Sequence, residues 1–228
     1  MSSKKIIVAL DSNNKIKIKK IVNDLKKEVY AFKIGYEFFL NYGIKGYKEL
    51  SKLCPKIFLD LKLHDIPNTV QNGIKAINKL KPLLTTIHIS GGDEMMKASL
   101  IKPKYTKILG VSVLTSLNSQ QTNKYYKEKN IETLVKKFVK YAERNKLDGI
   151  VCSPKEIKFI RKMVKKDFII VTPGIRLEKF RKKSDDQKRV LSPKEAIDLG
   201  ANFIVIGRPI LESNNPLETI KKINSSLS

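Results

Sequence analysis

A chain of 228 residues is long for one small domain and ordinary for a single α/β barrel. Hydrophobic residues make up 41% of it, no apolar run nears the ~20 residues of a membrane span, and the start, "KKIIVALD", turns acidic too soon for a secretory signal, so one soluble, cytoplasmic domain over residues 1–228 is expected, with no membrane partner. The net charge of +24 would suit a basic RNA-binding protein, but only six of the 46 basic residues are Arg, Trp is absent and no stacking platform or known module is legible, so no nucleic-acid partner is expected.

The first apolar segment, 5–11 ("KIIVALD"), reads as a strand. Next, 15–27 ("KIKIKKIVNDLKK") reads as an amphipathic helix, because Ile18, Ile21, Val22 and Leu25 recur at helical spacing and lysines fill the remaining face. Those lysines form a solvated surface whose positive field would speed the arrival of an anionic substrate. Further strands fall at 30–35 ("YAFKIG"), 56–62 ("KIFLDLK"), 85–90 ("TTIHIS"), 107–115 ("KILGVSVLT"), 147–153 ("LDGIVCS"), 168–175 ("FIIVTPGI") and 201–210 ("ANFIVIGRPI"). Amphipathic helical stretches separate most of them. "SPKE" at 153–156 and again at 192–195 sets Ser at the N-cap, Pro at N1 and Glu at N3, and "NPLE" at 215–218 repeats the device. Cys54 and Cys152 lie in or beside apolar runs without CxxC spacing, which argues against a disulfide or a zinc site. From Leu177 to Leu191 the chain is charged and aperiodic, as a mobile lid following the seventh strand would be. Eight β-then-α units with no two-half division predict an α/β protein closed as a (β/α)8 TIM barrel rather than an open doubly wound sheet.

Within that barrel, "FLDLKLHDIPNTV" at 58–70 raises a question, since Asp60, Lys62 and Asp65 interrupt a stretch otherwise fit for burial. Alternate strand residues share a face, so Phe58, Asp60 and Lys62 point inward together, and Asp65 lies just beyond on the loop. The same alternation turns Ala31, Lys33 and Gly35 inward on strand two and Ile7, Ala9 and Asp11 on strand one. These charges converge where barrels do chemistry, at the C-terminal ends of the strands. An ion-pair network that merely closes the barrel top is the plainer reading; catalysis explains so many charges better.

The residues so gathered carry a resemblance. "DLKLHDIPNT" is similar to the DxKxxDIPxT motif of the orotidine 5′-phosphate decarboxylase family, which makes UMP from orotidine 5′-phosphate (OMP). "ALD" with Asp11, "FKIG" with Lys33, "HISGG" at 88–92, "VLTS" at 113–116, "PGIR" at 173–176 and "IGRP" at 206–209 follow in the family's order, so the resemblance spans roughly residues 6–212. It implies a catalytic array of Lys33, Asp60, Lys62 and Asp65, with Lys62 the proton donor and Asp60 beside the departing carboxylate. It further implies that Asp11 and Lys33 hold the ribose, that Thr115 or Ser116 reads the base, and that Arg176, Gln187, Gly207 and Arg208 hold the phosphate. Asp65 and Thr69 would reach the neighbouring site of a homodimer. No cofactor and no metal are implied, which sets aside a metal reading of His64 and His88. One departure is Asp185, which stands where the family has glycine two residues before the lid glutamine. The nearest rival is an Mg²⁺-dependent sugar-phosphate decarboxylase of the 3-keto-L-gulonate 6-phosphate type, which shares DxKxxD but needs an acidic metal ligand where this chain has Lys33.

Overall fold

The computed structural model describes residues 4–101, 105–175 and 191–227. In it β1 (Ile6–Ala9), β2 (Ala31–Ile34), β3 (Ile57–Leu63), β4 (Leu84–His88), β5 (Lys107–Val111), β6 (Gly149–Val151), β7 (Ile169–Thr172) and β8 (Phe203–Ile206) pair parallel in chain order and close, β8 on β1. The (β/α)8 barrel expected from the sequence is the architecture observed. Between the strands run α1 (Lys15–Leu25), α2 (Tyr36–Leu53), α3 (Pro67–Asn78), α4 (Asp93–Ser99), α5 (Ser119–Tyr126), α6 (Ile131–Arg144), α7 (Ile157–Met163) and α8 (Pro193–Asp198), and α9 (Arg208–Leu211) and α10 (Pro216–Ser226) follow β8.

Apolar strands buried on both faces make two cores. Inside the barrel, Ile7, Ala9, Ala31, Phe58, Leu109 and Val205 pack together, the inward set that alternation predicts. Outside it, strand residues such as Val8, Phe32, Ile34 and Leu59 meet the helices. Helix α1 shows how the sequence builds that second layer: Asn14 caps it by accepting from the Lys17 N–H, and Ile18, Ile21, Val22 and Leu25 are the residues it buries. Each fully buried Ile or Leu contributes about 1.5–3 kcal/mol.

Both "SPKE" strings cap helical turns, the first opening a 3₁₀ turn at Pro154–Glu156 that leads into α7 and the second opening α8; Asn215 caps α10. Helix α2 is kinked at Gly43, whose φ of 53° and ψ of −153° lie outside what side-chain-bearing residues readily adopt. The strand expected over 201–210 ends at Ile206, because Gly207 N-caps a turn in which its carbonyl accepts from Ile210 and Leu211. The segment expected as a lid falls, apart from Leu191, outside the described residues.

Candidate active site

Four charged side chains meet at the mouth formed by the C-terminal ends of the strands. Asp60 on β3 is buried, and its Oδ2 accepts from Lys62 Nζ at 2.8 Å and lies 3.5 Å from Lys33 Nζ. Lys33, on β2, also reaches Asp11 Oδ1 at 3.2 Å, just past the end of β1. Acid and base therefore alternate across three neighbouring strands: Asp11, Lys33, Asp60, Lys62. Gly35 sits where a Cβ would come within 2.8 Å of Asp11 Oδ1 and 2.9 Å of Lys33 Nζ, so the absence of a side chain there leaves room for the pair.

Burial alone would raise the Asp60 carboxyl pKa. The Lys33 and Lys62 ammoniums, aided by hydrogen bonds from Lys62 and Thr86, outweigh burial and hold it below the usual carboxylate range. A charge this deeply buried is tolerable only with such partners. The four charges line a cavity of about 490 Å³ whose other walls include Ala9, Phe58, Val205, Gly207 and Arg208. A larger hollow, about 720 Å³, opens at the opposite end of the barrel between Tyr30, Phe203 and five lysines. That end bears the strand N-termini, which in this architecture serve stability rather than chemistry.

Four of the remaining expected residues stand apart from this centre. Asp65, exposed on the loop after β3, accepts from the Ile66 N–H at 2.7 Å, and Thr69 is exposed on α3; neither lines the cavity. Thr115 and Ser116 occupy a turn after β5, also outside the lining. Gly207 and Arg208, by contrast, lie at the cavity wall. Arg176, Gln187 and Asp185 are outside the described residues.

Two neighbours of the charged array went unnoticed in the sequence. Thr86, fully buried on β4, donates to Asp60 Oδ1 at 2.9 Å, and Glu37, at the start of α2, lines the cavity. Alternation applied to 84–88 would have found Thr86, since it shares the inward face of Leu84 and His88. His88 packs against His64 in a tilted arrangement, with ring centroids 5.1 Å apart. Burial first, then the His64 ring and the Lys62 charge, push its pKa down to about 4, so it is neutral at pH 7. Among the described residues no three His, Cys, Asp or Glu side chains are gathered to hold a metal ion, and no helix is long and apolar enough to cross a membrane.

Comparison with known proteins puts this site in context. A profile of the "Orotidine 5'-phosphate decarboxylase / HUMPS family" matches residues 4–223. An orotidine 5′-phosphate decarboxylase from Wolbachia pipientis is 42% identical over 225 residues, 98% of each chain. One from Carboxydothermus hydrogenoformans is 42% identical over 221 residues, 93% of this chain and 91% of its own. The crystal structure of orotidine 5′-phosphate decarboxylase from Lactobacillus acidophilus superposes with a TM-score of 0.83 at 36% identity, covering 99% of this chain and all of the other. Matched from end to end in sequence and in barrel, the chain belongs to the orotidine 5′-phosphate decarboxylase family and is a decarboxylase.

Proposed function

We propose that this chain converts OMP to UMP, the last step in making that nucleotide, without a cofactor, and that Lys62 delivers the proton that replaces carbon dioxide. The observation that carries the mechanism is the buried Asp60 carboxylate with ammonium groups at 2.8 and 3.5 Å. Loss of CO₂ from C6 of the pyrimidine leaves an electron pair in the ring plane, where the π system cannot absorb it. Stabilisation must come from fixed charge, and a lysine locked against a buried carboxylate offers it without reorganisation. The carbanion takes a proton from the Lys62 ammonium, and the C–H bond forms where the C–C bond broke. Asp60, beside the site of the departing carboxylate, both orients Lys62 and disfavours the charged ground state. Asp11 and Lys33 hold the ribose hydroxyls, Thr115 or Ser116 reads the pyrimidine edge, and Gly207 and Arg208 take the phosphate, joined by Arg176 and Gln187.

The site is composite in this reading. Asp65 and Thr69 lie exposed and away from their own cavity, next to Ile66, and the apolar Tyr36 and Leu40, one turn apart on α2, are exposed as well. A second copy covering that face would bury them and bring its Asp65 to this chain's Lys62, making the protein a homodimer.

The sugar-phosphate reading would require carboxylates free to bind a divalent ion, but here Lys33 lies within 3.5 Å of both Asp11 and Asp60. Purified protein given OMP in excess EDTA should release CO₂ and shift the ultraviolet spectrum to that of UMP at an undiminished rate. Activity lost in EDTA and restored by Mg²⁺ would move the assignment to the metal-dependent reaction.

A further inference from the structure

The lysine assigned as proton donor stands on an irregular piece of strand. Regular alternation would carry β3 from Asp60 to Lys62 in extended backbone, yet Lys62 has φ of 45°. That is left-handed space, uncommon for a residue with a side chain and kept only where the surroundings hold it. Between the pairings Leu59 with Thr85 and Leu63 with Ile87, β3 advances four residues while β4 advances two. The extra length is a bulge, a device that re-aims side chains next to active sites.

Both polar groups of the Leu61–Lys62 peptide are met there by side chains. The Leu61 carbonyl accepts from Tyr36 Oη at 2.9 Å, and the Lys62 N–H donates to Thr86 Oγ1 at 2.9 Å. Thr86 in turn gives its hydroxyl hydrogen to Asp60 Oδ1 at 2.9 Å, leaving Oδ2 to the two ammonium groups. A single hydroxyl, with no solvent exposure, thus accepts from the backbone of the lysine and donates to the carboxylate that the same lysine pairs with.

We propose that Thr86 is a positioning residue for the decarboxylation: its hydroxyl fixes the Lys62 backbone and the Asp60 carboxylate in one geometry and so aims the Lys62 ammonium. The inference rests on Lys62 being the proton donor. Thr86 touches no substrate in this account and acts wholly through Asp60 and Lys62. A hydroxyl on β4 is suited to the role because the barrel core keeps that strand rigid, and because one oxygen can accept and donate at once. Valine has nearly the same shape but can do neither, leaving the Lys62 N–H and Asp60 Oδ1 without the Thr86 hydroxyl.

Thr86→Val, Thr86→Ala and Thr86→Ser, each checked by thermal melting, separate this role from packing. In the first two, kcat on OMP should fall about 10²-fold, the size of effect that a small misplacement of a reacting group produces, while KM stays within about threefold. Thr86→Ser, which keeps the oxygen, should recover kcat to within about threefold of wild type. Thr86→Ala makes only a small cavity and carries the test should Thr86→Val fail to fold. A folded hydroxyl-free variant that keeps wild-type kcat overturns the inference, as does a serine variant no better than alanine. A wild-type protein inert toward OMP would bring down the functional assignment and this inference together; an active wild type with an indifferent Thr86 brings down only the latter.

Discussion

His88 couples the protonation of the site to the stability of the barrel. Its folded pKa of about 4 lies below the ordinary value of 6.5, so the unfolded chain takes up a proton that the folded chain refuses. The group's contribution is therefore complete above pH 6.5, declines as pH falls from there, and stops changing below about pH 4. The full effect is up to about 3 kcal/mol before solvent screening reduces it. Urea unfolding of wild type and His88→Gln at several values between pH 7 and 5 should give a steeper loss of stability for wild type. Parallel losses would mean that His88 is not buried as described. The contrast with Asp60 is instructive, since that carboxylate is also buried yet keeps its charge because two ammoniums face it. Neighbours decide which buried group stays ionised.

At the scale of elements, strand β3 and helix α8 show local sequence working in opposite ways. In α8, Ser192 and Glu195 exchange cap hydrogen bonds, Ser192 Oγ accepting from the Glu195 N–H at 3.3 Å and Glu195 Oε2 accepting from the Ser192 N–H at 2.8 Å. Both partners of this cap lie within the four-residue string itself. Ser192→Ala should lower the unfolding free energy by about 1 kcal/mol, read as a shift of the urea midpoint at constant slope. An unchanged midpoint would show that packing rather than the cap holds this short helix. In β3 the string "LDLKL" specifies an ordinary strand and the structure departs from it, because Thr86 and Tyr36, distant in sequence, supply the partners that make a bulge tolerable.

For the whole molecule, the proposed composite site would make a demand that no single chain can meet. If Asp65 serves its neighbour, Lys62→Ala and Asp65→Asn homodimers should each be nearly inactive. Unfolded and refolded together in equal amounts, about half the dimers should be mixed, each with one intact site, so activity should return to about a quarter of wild type per chain. Mixed dimers that form, as shown by a tag pull-down, without such recovery would place Asp65 in its own chain's site. The +24 charge belongs to this scale too. With helix α1 presenting lysines to solvent and burying its apolar stripe, the charge would act as a field that speeds the arrival of an anionic substrate.

How much of this was legible beforehand depended on the range of the interactions. Apolar periodicity and cap residues are local, and they determined the eight strands, most of the helices and the closed barrel, because each element must bury one face at its own period. Alternation along single strands likewise determined that Asp11, Lys33, Asp60 and Lys62 would share one mouth. Other features depend on what stands across the sheet. That Lys62 is left-handed, that Thr86 bridges it to Asp60, that Gly207 ends β8 early and that Asp65 turns away from its own cavity were decided only by tertiary structure. The physical reason is that strand register, bulges and buried hydrogen bonds are set by partners many residues away, and a string of neighbours carries no record of them.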